Sequence, residues 1–188
     1  MDMKDINNTQ VLLGGLAALM AAHIALLLLM NVSVMCACGE LRVWAAAGES
    51  SRQLADWYSI SHALHGVLFY WLLVGLRPQW PVQAHLLAAT ALEVAWEVLE
   101  NTPWVIHRYR TATAATEYSG DTLVNSVADV GFMLLGFYVA LKLPWKLVLA
   151  LLVAGELVAL YVIRDNLTLQ IVTFLWPIDA LVDWQSRG

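Results

Sequence analysis

The feature that most constrains the fold is a series of long apolar segments, which take up most of the 188 residues. A helix that crosses a bilayer needs about 20 predominantly apolar residues. Five segments approach that length: 11–33, 60–76, 82–101, 121–142 and 146–163. Composition agrees, because 13% of the residues are charged, whereas soluble domains contain about 25%. The sequence therefore predicts an integral membrane protein.

The last apolar stretch, residues 167–184, is interrupted by Pro177 and Asp179. It is interpreted as a short sixth span or as an interfacial, re-entrant helix, and its apolar character favours the span slightly. The polar segment 103–120 is predicted to be a loop. We therefore expect an all-α fold, an integral membrane bundle of five to six transmembrane helices that forms a single domain over residues 1–188.

Orientation is weakly constrained by the sequence, because lysine and arginine residues divide evenly between the two sides of the membrane. Positive charges are normally enriched on the cytoplasmic side. The short connections after the second and fourth spans carry basic residues and are typical of cytoplasmic turns. We therefore expect a cytoplasmic N-terminus.

Polar and ionisable residues are concentrated at one end of the apolar segments. Because the chain alternates direction, the start of the second span, the end of the third and the start of the fourth lie on the same side of the membrane. The polar residues there are His62, His65, Glu93, Glu97, Glu100, Asn101, Asp121, Asn125 and Asp129. Residues four apart share a helix face, and carboxylates at membrane depth cost about 2.5–3.5 kcal/mol each. The pattern predicts a polar pocket built from three helices.

The residue types in this pocket suit a divalent metal ion. Helix bundles build such sites from imidazole and carboxylate groups on facing helices. The candidate ligands are His62, His65 and Glu93, and the candidate metals are iron, zinc and manganese. A cation would also balance carboxylates that otherwise take up protons. The Glu-x-x-His pairing within one helix is absent, which weakens the prediction.

In an enzyme built on this pocket, Glu97, Asp129, Asn125 and Asp121 are the candidate catalytic residues. A bound ion would activate water or polarise a substrate oxygen. We expect a lipid or a small amphipathic molecule at the outer leaflet as the substrate. Its anionic headgroup would be held by Arg108, Arg110 and Asn101, because guanidinium groups bind phosphate and carboxylate well.

Each of these residues also has a structural interpretation. His62 and His65 could simply hydrogen-bond neighbouring helices, and Asp121 could cap the fourth span. His23 is predicted to form a hydrogen bond between helices. Glu93 and Glu97 could be buried partners of the two arginines; such pairs fix a fold without performing chemistry.

Two non-enzymatic functions therefore stay open. The first is an accessory or assembly subunit of a larger membrane complex, or a homo-oligomer, in which the polar cluster holds helices together. The second is a small transporter or proton relay, which needs a polar path to the opposite face, where His85 is the main ionisable group. The bilayer is the expected surrounding partner. Nucleic acid is not expected, because the ten basic residues form no patch.

Two cysteines, Cys36 and Cys38, are separated by one residue. This spacing is too tight for a relaxed disulfide. The sequence leaves three interpretations open: two reduced thiols in a turn beside the membrane, a strained redox pair, or a contact to a metal.

Longer motifs resemble a known family. They are the segments 36–39, 56–66, 97–101 with 108–110, and 118–129, together with the tail residues 164–167 and 184–185. Over about residues 33–186 the chain resembles an uncharacterised family of proteobacterial multi-pass inner-membrane proteins, known as a domain of unknown function. The resemblance implies a location in the bacterial inner membrane and no activity, since none is established for the family.

One departure from the family pattern is visible. The family often has a histidine after the glutamine at the position of Gln53, and here Leu54 follows instead. If that histidine were a ligand, this chain lacks it. A weaker similarity, a Glu-rich helix followed by Gly-Asp and then by Asn and Asp, is to VanZ-like membrane proteins.

Overall fold

The computed structural model describes residues 3–46 and 48–187, and all regular structure in these residues is helical. The expected all-α fold is thereby confirmed for this part of the chain. Its helices are α1 (Met3–Leu29), α2 (Ser59–Leu76), α3 (Val82–Glu100), α4 (Pro103–Ala112), α5 (Leu123–Lys142), α6 (Trp145–Ile163), α7 (Leu167–Leu175) and α8 (Asp179–Gln185).

Four of the described helices are long and apolar enough to cross a membrane: Thr9–Leu29, Ser59–Leu76, Leu123–Lys142 and Trp145–Ile163. They correspond to four of the five predicted spans. The fifth, α3, has 19 residues, but Glu93, Glu97 and Glu100 make it less apolar. All three glutamates are buried, so the polar side of α3 faces the bundle rather than lipid. The predicted count of five to six spans is therefore approximate.

Two predicted segments differ in the structure. The predicted loop at 103–120 contains α4, because Thr102 Oγ1 accepts from the Val105 backbone N–H at 3.4 Å and Pro103 occupies the first turn, both of which favour a helix start. The stretch 167–184 is divided into α7 and α8 around Pro177. The nine residues of α7 rise about 14 Å, so this stretch forms no single spanning helix.

The closest helix contact joins α2 and α5, and it depends on two glycines. A Cβ atom on Gly66 would collide with the Met133 backbone, and one on Gly136 would collide with the Ala63 backbone. Small residues allow helices to approach to backbone contact in this way. The two helices run in the same direction, as the Gly66–Met133 contact and the following Tyr70–Phe137 contact show. One turn before Gly66, the same contact sets His62 against α5.

An apolar core closes the bundle beyond this glycine contact. Its buried members are Leu73, Ala89, Val94, Val130, Met133 and Phe137. His85 lies away from the polar cluster, and its Nε2 atom is 2.9 Å from the Arg77 carbonyl. The polar residues at the other end of α2, α3 and α5 therefore lie across this apolar core from His85.

Candidate functional site

His62 is the centre of a buried group of carboxyl side chains. Its Nδ1 atom lies 2.7 Å from Glu93 Oε1 and 3.1 Å from Glu97 Oε1, and its Nε2 atom lies 3.9 Å from Asp129 Oδ2. One imidazole ring on α2 therefore contacts carboxylates of both α3 and α5. The structure brings together residues that the sequence placed on three separate helices.

His65 lies one turn further along α2 and shares Glu93 with His62. Its Nδ1 atom is 3.1 Å from Glu93 Oε2, and its ring is 5.6 Å from the Phe69 ring, stacked against it. His62, His65 and Glu93 can each offer one ligand atom within 4.8 Å of the others. The three predicted metal ligands therefore lie close enough to share one ion, and that role stays a prediction.

Glu97 extends the cluster to α1 through a serine. Ser126 Oγ donates to Glu97 Oε2 at 2.6 Å, and His23 Nε2 lies 2.8 Å from the same hydroxyl. All three residues have no exposed surface. The predicted interhelical hydrogen bond of His23 is confirmed. Ser126 was not predicted, because a serine in an apolar helix gives no signal of its partner.

Asp129 is held from the start of α2. Ser59 Oγ donates to Asp129 Oδ1 at 3.1 Å. Just before α2, the Asp56 carboxylate accepts from the backbone N–H groups of Tyr58 at 2.7 Å and Ser51 at 2.6 Å. Asp56 thereby fixes the turn from which Ser59 and His62 project. An aspartate shortly before an apolar helix is a capping signal. The sequence therefore contained a signal for this role of Asp56.

Asp121 belongs to a second group beside the first. Its Oδ2 atom accepts from Asn101 Nδ2 and from the Tyr118 hydroxyl, each at 3.1 Å, and its backbone N–H donates to Asn101 Oδ1 at 2.8 Å. The hypothesis that Asp121 caps the fourth span is wrong: Thr122 is the cap, and its Oγ1 accepts from the Asn125 backbone at 3.3 Å. Burial raises the pKa of the Tyr118 hydroxyl well above its ordinary value, and the nearby Asp121 carboxylate raises it further.

Asn125 carries an unpaired donor. Its side-chain Nδ2 atom has no hydrogen-bond partner, although the residue is 1% exposed. Most buried polar groups in proteins are hydrogen-bonded. Asn125 lines the cavity described below, so a bound group there could accept this hydrogen bond.

The two predicted headgroup-binding arginines hold the backbone instead. Arg108 Nε donates to the Phe174 carbonyl at 2.7 Å, where α7 ends, and Arg110 Nε donates to the Thr116 carbonyl at 3.1 Å. Within the described residues, the wall of the cavity includes neither arginine. The alternative in which they pair with Glu93 or Glu97 is not observed either, because those carboxylates face histidines and Ser126. Their role toward a substrate stays a prediction.

A cavity of about 640 Å³ lies between α2, α3 and α7, within the range of about 300–1,000 Å³ that is usual for ligand sites. Its polar wall includes Asp56, His62, His65, Glu100, Asp121, Asn125 and Asp129. Its apolar wall includes Leu68, Phe69, Leu92, Trp96, Leu99, Ile171, Phe174 and Leu175. The cavity is therefore amphipathic, and the histidine–carboxylate cluster lies at its polar end.

The cluster has more acids than bases. Five buried carboxyl groups, those of Glu93, Glu97, Glu100, Asp121 and Asp129, surround two imidazoles. Even with both histidines charged, at most two of the five negative charges are balanced. Buried unbalanced carboxylates either take up protons or bind a cation. This excess of acid is an electrostatic reason for a cation in the site.

The cysteine pair lies outside the cluster, in the segment between α1 and α2. The structure pairs Cys36 with Cys38 as a disulfide, with a Cα–Cα distance of 5.1 Å. The fully buried Gln53 packs beside the pair: its Oε1 accepts from the Arg42 backbone at 2.7 Å and its Nε2 donates to the Glu40 carbonyl at 3.3 Å. Gln53 thus orders this segment.

A family model described as "Protein of unknown function (DUF2585)" matches residues 27–187. A UPF0314 protein from Brucella anthropi is 44% identical over 154 residues, which cover 81% of this chain and 79% of the relative. One from Sphingopyxis alaskensis is 42% identical over 175 residues, covering 92% and 93%.

A third UPF0314 protein, from Rhizobium etli, is 43% identical over 174 residues, which cover 91% of this chain and 89% of the relative. No solved structure matches the chain. None of these matches bears on the similarity to VanZ-like proteins, which stays a prediction.

Proposed function

The chain belongs to the DUF2585 family, whose curated members are named UPF0314 proteins, and on that premise we propose that it is a divalent-metal-dependent enzyme of the bacterial inner membrane. Its substrate is a lipid or another amphipathic molecule. One observation carries the proposal: potential ligand atoms of His62, His65 and Glu93 lie within 4.8 Å of one another, and both histidines line the polar end of an amphipathic cavity. Membership itself, predicted from the motifs, brings no activity, so the proposal depends on the site.

The donor set fits a transition metal. Two imidazoles and a carboxylate, from His62, His65 and Glu93, are ligands that suit iron, zinc and manganese. When bound, such an ion supplies a polarised substrate oxygen or an activated water. Five carboxyl groups against two imidazoles leave negative charge that a divalent ion would balance.

The remaining polar residues of the cavity have distinct roles in this proposal. Asp129, held by Ser59 at 3.1 Å, faces His62 from α5 and is placed to accept a proton at Oδ2. Glu97, held by Ser126, orients His62 from the opposite side. Asn125 offers its unpaired amide N–H to a substrate oxygen, and Asn101 acts through Asp121.

The membrane location rests on the four apolar helices and on relatives from proteobacteria. The inner membrane is the proposed compartment, because the chain resembles proteobacterial inner-membrane proteins. Its helices satisfy their backbone hydrogen bonds within the segment, as any bilayer requires. The lipid bilayer is the proposed surrounding partner of the bundle.

The experiment that tests this function is elemental mass spectrometry on detergent-purified protein. We expect iron, zinc or manganese at about one ion per chain in the wild type, and loss of that ion in His65→Gln. The matched control is His85→Gln, which changes a histidine that binds a backbone carbonyl outside the cluster and keeps the metal. A well-folded, monodisperse wild type without metal would falsify the metalloenzyme proposal.

A second candidate is a non-enzymatic accessory or assembly subunit of a membrane complex or homo-oligomer. One observation favours it: polar contacts run from His23 through Ser126, Glu97 and His62 to Glu93 and so join α1, α5, α3 and α2. Such a buried network can hold helices together without chemistry. This candidate differs from the first in predicting no bound metal and tolerance of Glu93→Gln.

A further inference from the structure

We propose that the cavity is a lipid slot: a membrane lipid enters it sideways from the bilayer, with its acyl chain between α2, α3 and α7 and its polar head at the Glu100 and Asp129 end. This proposal rests on the proposed function, and it adds the class of substrate and the route by which the substrate enters.

One continuous face of each of three helices lines the slot. On α2 these residues are Ser61, His62, His65, Leu68 and Phe69; on α3 they are Leu92, Ala95, Trp96, Leu99 and Glu100; on α7 they are Leu167, Gln170, Ile171, Phe174 and Leu175. Each set follows the spacing of three and four residues that keeps side chains on one helix face. The slot therefore runs along the helices.

Polarity changes along the slot in the direction that a lipid requires. On α2 the lining begins with Ser61 and ends with Phe69, whereas on α3 it begins with Leu92 and ends with Glu100. Because α2 and α3 are consecutive spans that run in opposite directions, the polar ends lie together and the apolar ends lie together. Eight residues of helix rise about 12 Å. A headgroup at the membrane surface and a chain directed toward the bilayer centre match this gradient.

The slot is accessible from the side that faces lipid. Several of its apolar lining residues are large and exposed: Leu68 at 41%, Leu92 at 41%, Leu99 at 45% and Ile171 at 51%. Residues that line a cavity and are also exposed mark its opening. Here the opening lies along apolar parts of helices at membrane depth, so the molecule next to it is a lipid acyl chain and not water.

α7 forms the outer wall of the slot and is held by its ends. At its start, Glu156 accepts from the backbone N–H groups of Leu167 and Thr168, each at 3.0 Å. At its end, Arg108 donates to the Phe174 carbonyl at 2.7 Å. The middle of α7, at Gln170 and Ile171, faces the slot. The helix therefore bounds a space without filling it.

Photolabelling of the full-length protein tests this proposal. The protein is placed in vesicles of phosphatidylethanolamine and phosphatidylglycerol that contain a small fraction of a phospholipid with a diazirine near the end of one acyl chain. After irradiation, labelled positions are mapped by mass spectrometry. We expect labelling at Leu68, Phe69 and Leu92 to exceed labelling around Leu147 several-fold. Leu147 is 47% exposed, lines no part of the slot, and lies beside Val148, which packs against Val67 near the same level of α2.

A matched pair of variants gives the control. Ala95 and Ala91 are both exposed on α3, and only Ala95 lines the slot. Ala95→Trp should fill the slot and reduce labelling of Leu68 and Phe69 to the level at Leu147, and Ala91→Trp should leave it unchanged. Labelling of the wild-type slot no stronger than at Leu147 would overturn the proposal, as would full labelling in folded Ala95→Trp. Because the wild-type comparison needs no variant, a misfolded tryptophan variant does not prevent the test.

Metal content measured on the same samples separates the two proposals. Bound metal without enriched slot labelling would refute the lipid slot and leave the metal-dependent function standing. Enriched labelling in a metal-free, folded protein would support the slot and contradict the metalloenzyme. Enriched labelling with bound metal supports both.

Discussion

The Oε1 atom of Glu93 lies 2.7 Å from the Nδ1 atom of His62, and this contact joins α3 to α2 inside a region of membrane-spanning helices. The other carboxylate oxygen of Glu93 faces His65 at 3.1 Å. Glu93 itself has no exposed surface. Glu93 therefore belongs both to the proposed metal site and to the packing of α2 against α3. A substitution of Glu93 should change metal content and stability together.

Substitution Glu93→Gln should remove the proposed ion and lower stability. Gln keeps the volume but loses the negative charge that two imidazoles face, and breaking a buried charged contact costs about 3–5 kcal/mol. Metal content and thermal unfolding in detergent are the two measurements. The control Glu117→Gln changes an exposed glutamate and should alter neither. Unchanged metal content in Glu93→Gln would exclude Glu93 as a ligand.

The glycine contact between α2 and α5 should be sensitive to one methyl group. In Gly136→Ala the new Cβ would meet the Ala63 backbone, so the helices must separate, and overpacking of this kind costs about 1–3 kcal/mol. Gly131→Ala, on the same helix with no atom within 4 Å of the new Cβ, should be neutral or slightly stabilising. Thermal unfolding of both variants measures the difference, and equal melting temperatures would argue against the backbone contact.

Ser126→Ala should destabilise the bundle through two neighbours at once. The substitution removes the donor to Glu97 Oε2 and the partner of His23 Nε2, and each buried polar group left unpaired costs about 1–3 kcal/mol. The exposed Ser119 provides the control, since Ser119→Ala should leave the melting temperature unchanged. If Ser126→Ala unfolds like the wild type, the hydrogen-bond chain across α1, α5 and α3 does not contribute to stability.

Stability should also depend on pH through Asp165, which lies between α6 and α7. Burial raises the pKa of its carboxyl group to about 6, although Tyr58 donates to it at 3.2 Å and Gln185 at 2.9 Å. An acid whose pKa is higher in the folded protein binds its proton more tightly there. The contribution of Asp165 to the free energy of unfolding is therefore largest below about pH 4. As the pH rises to about 6, the protein loses about 2–3 kcal/mol of this contribution.

Asp165→Asn, which cannot titrate, should flatten that part of the curve of melting temperature against pH. The exposed Asp183 serves as the control, because Asp183→Asn should keep the wild-type curve. A wild-type curve without a decline between about pH 4 and 6, or a decline that persists in Asp165→Asn, would contradict the assignment to Asp165.

Part of the site was predictable because chain direction and side-chain periodicity are properties of the sequence. Alternating spans bring the start of α2, the end of α3 and the start of α5 to one side, and four-residue spacing lines up Glu93 with Glu97. Those two rules suffice to bring His62, Glu93, Glu97 and Asp129 together. They do not identify Ser126 or Thr122, because a hydroxyl group has several possible partners and only the neighbouring helix decides among them.

The sequence by itself determined the long apolar helices and the end of each at which polar residues lie, because the cost of placing polar groups in a bilayer is set residue by residue along the chain. Only the tertiary structure decided which atoms meet. The approach of α2 to α5 at Gly66 and Gly136 determines that His62 faces Asp129. The folding of 167–184 into two short helices makes Ile171 and Phe174 a wall of the cavity and commits Arg108 to the end of α7. Such contacts depend on helix rotation and crossing, which arise from packing between segments distant in the chain.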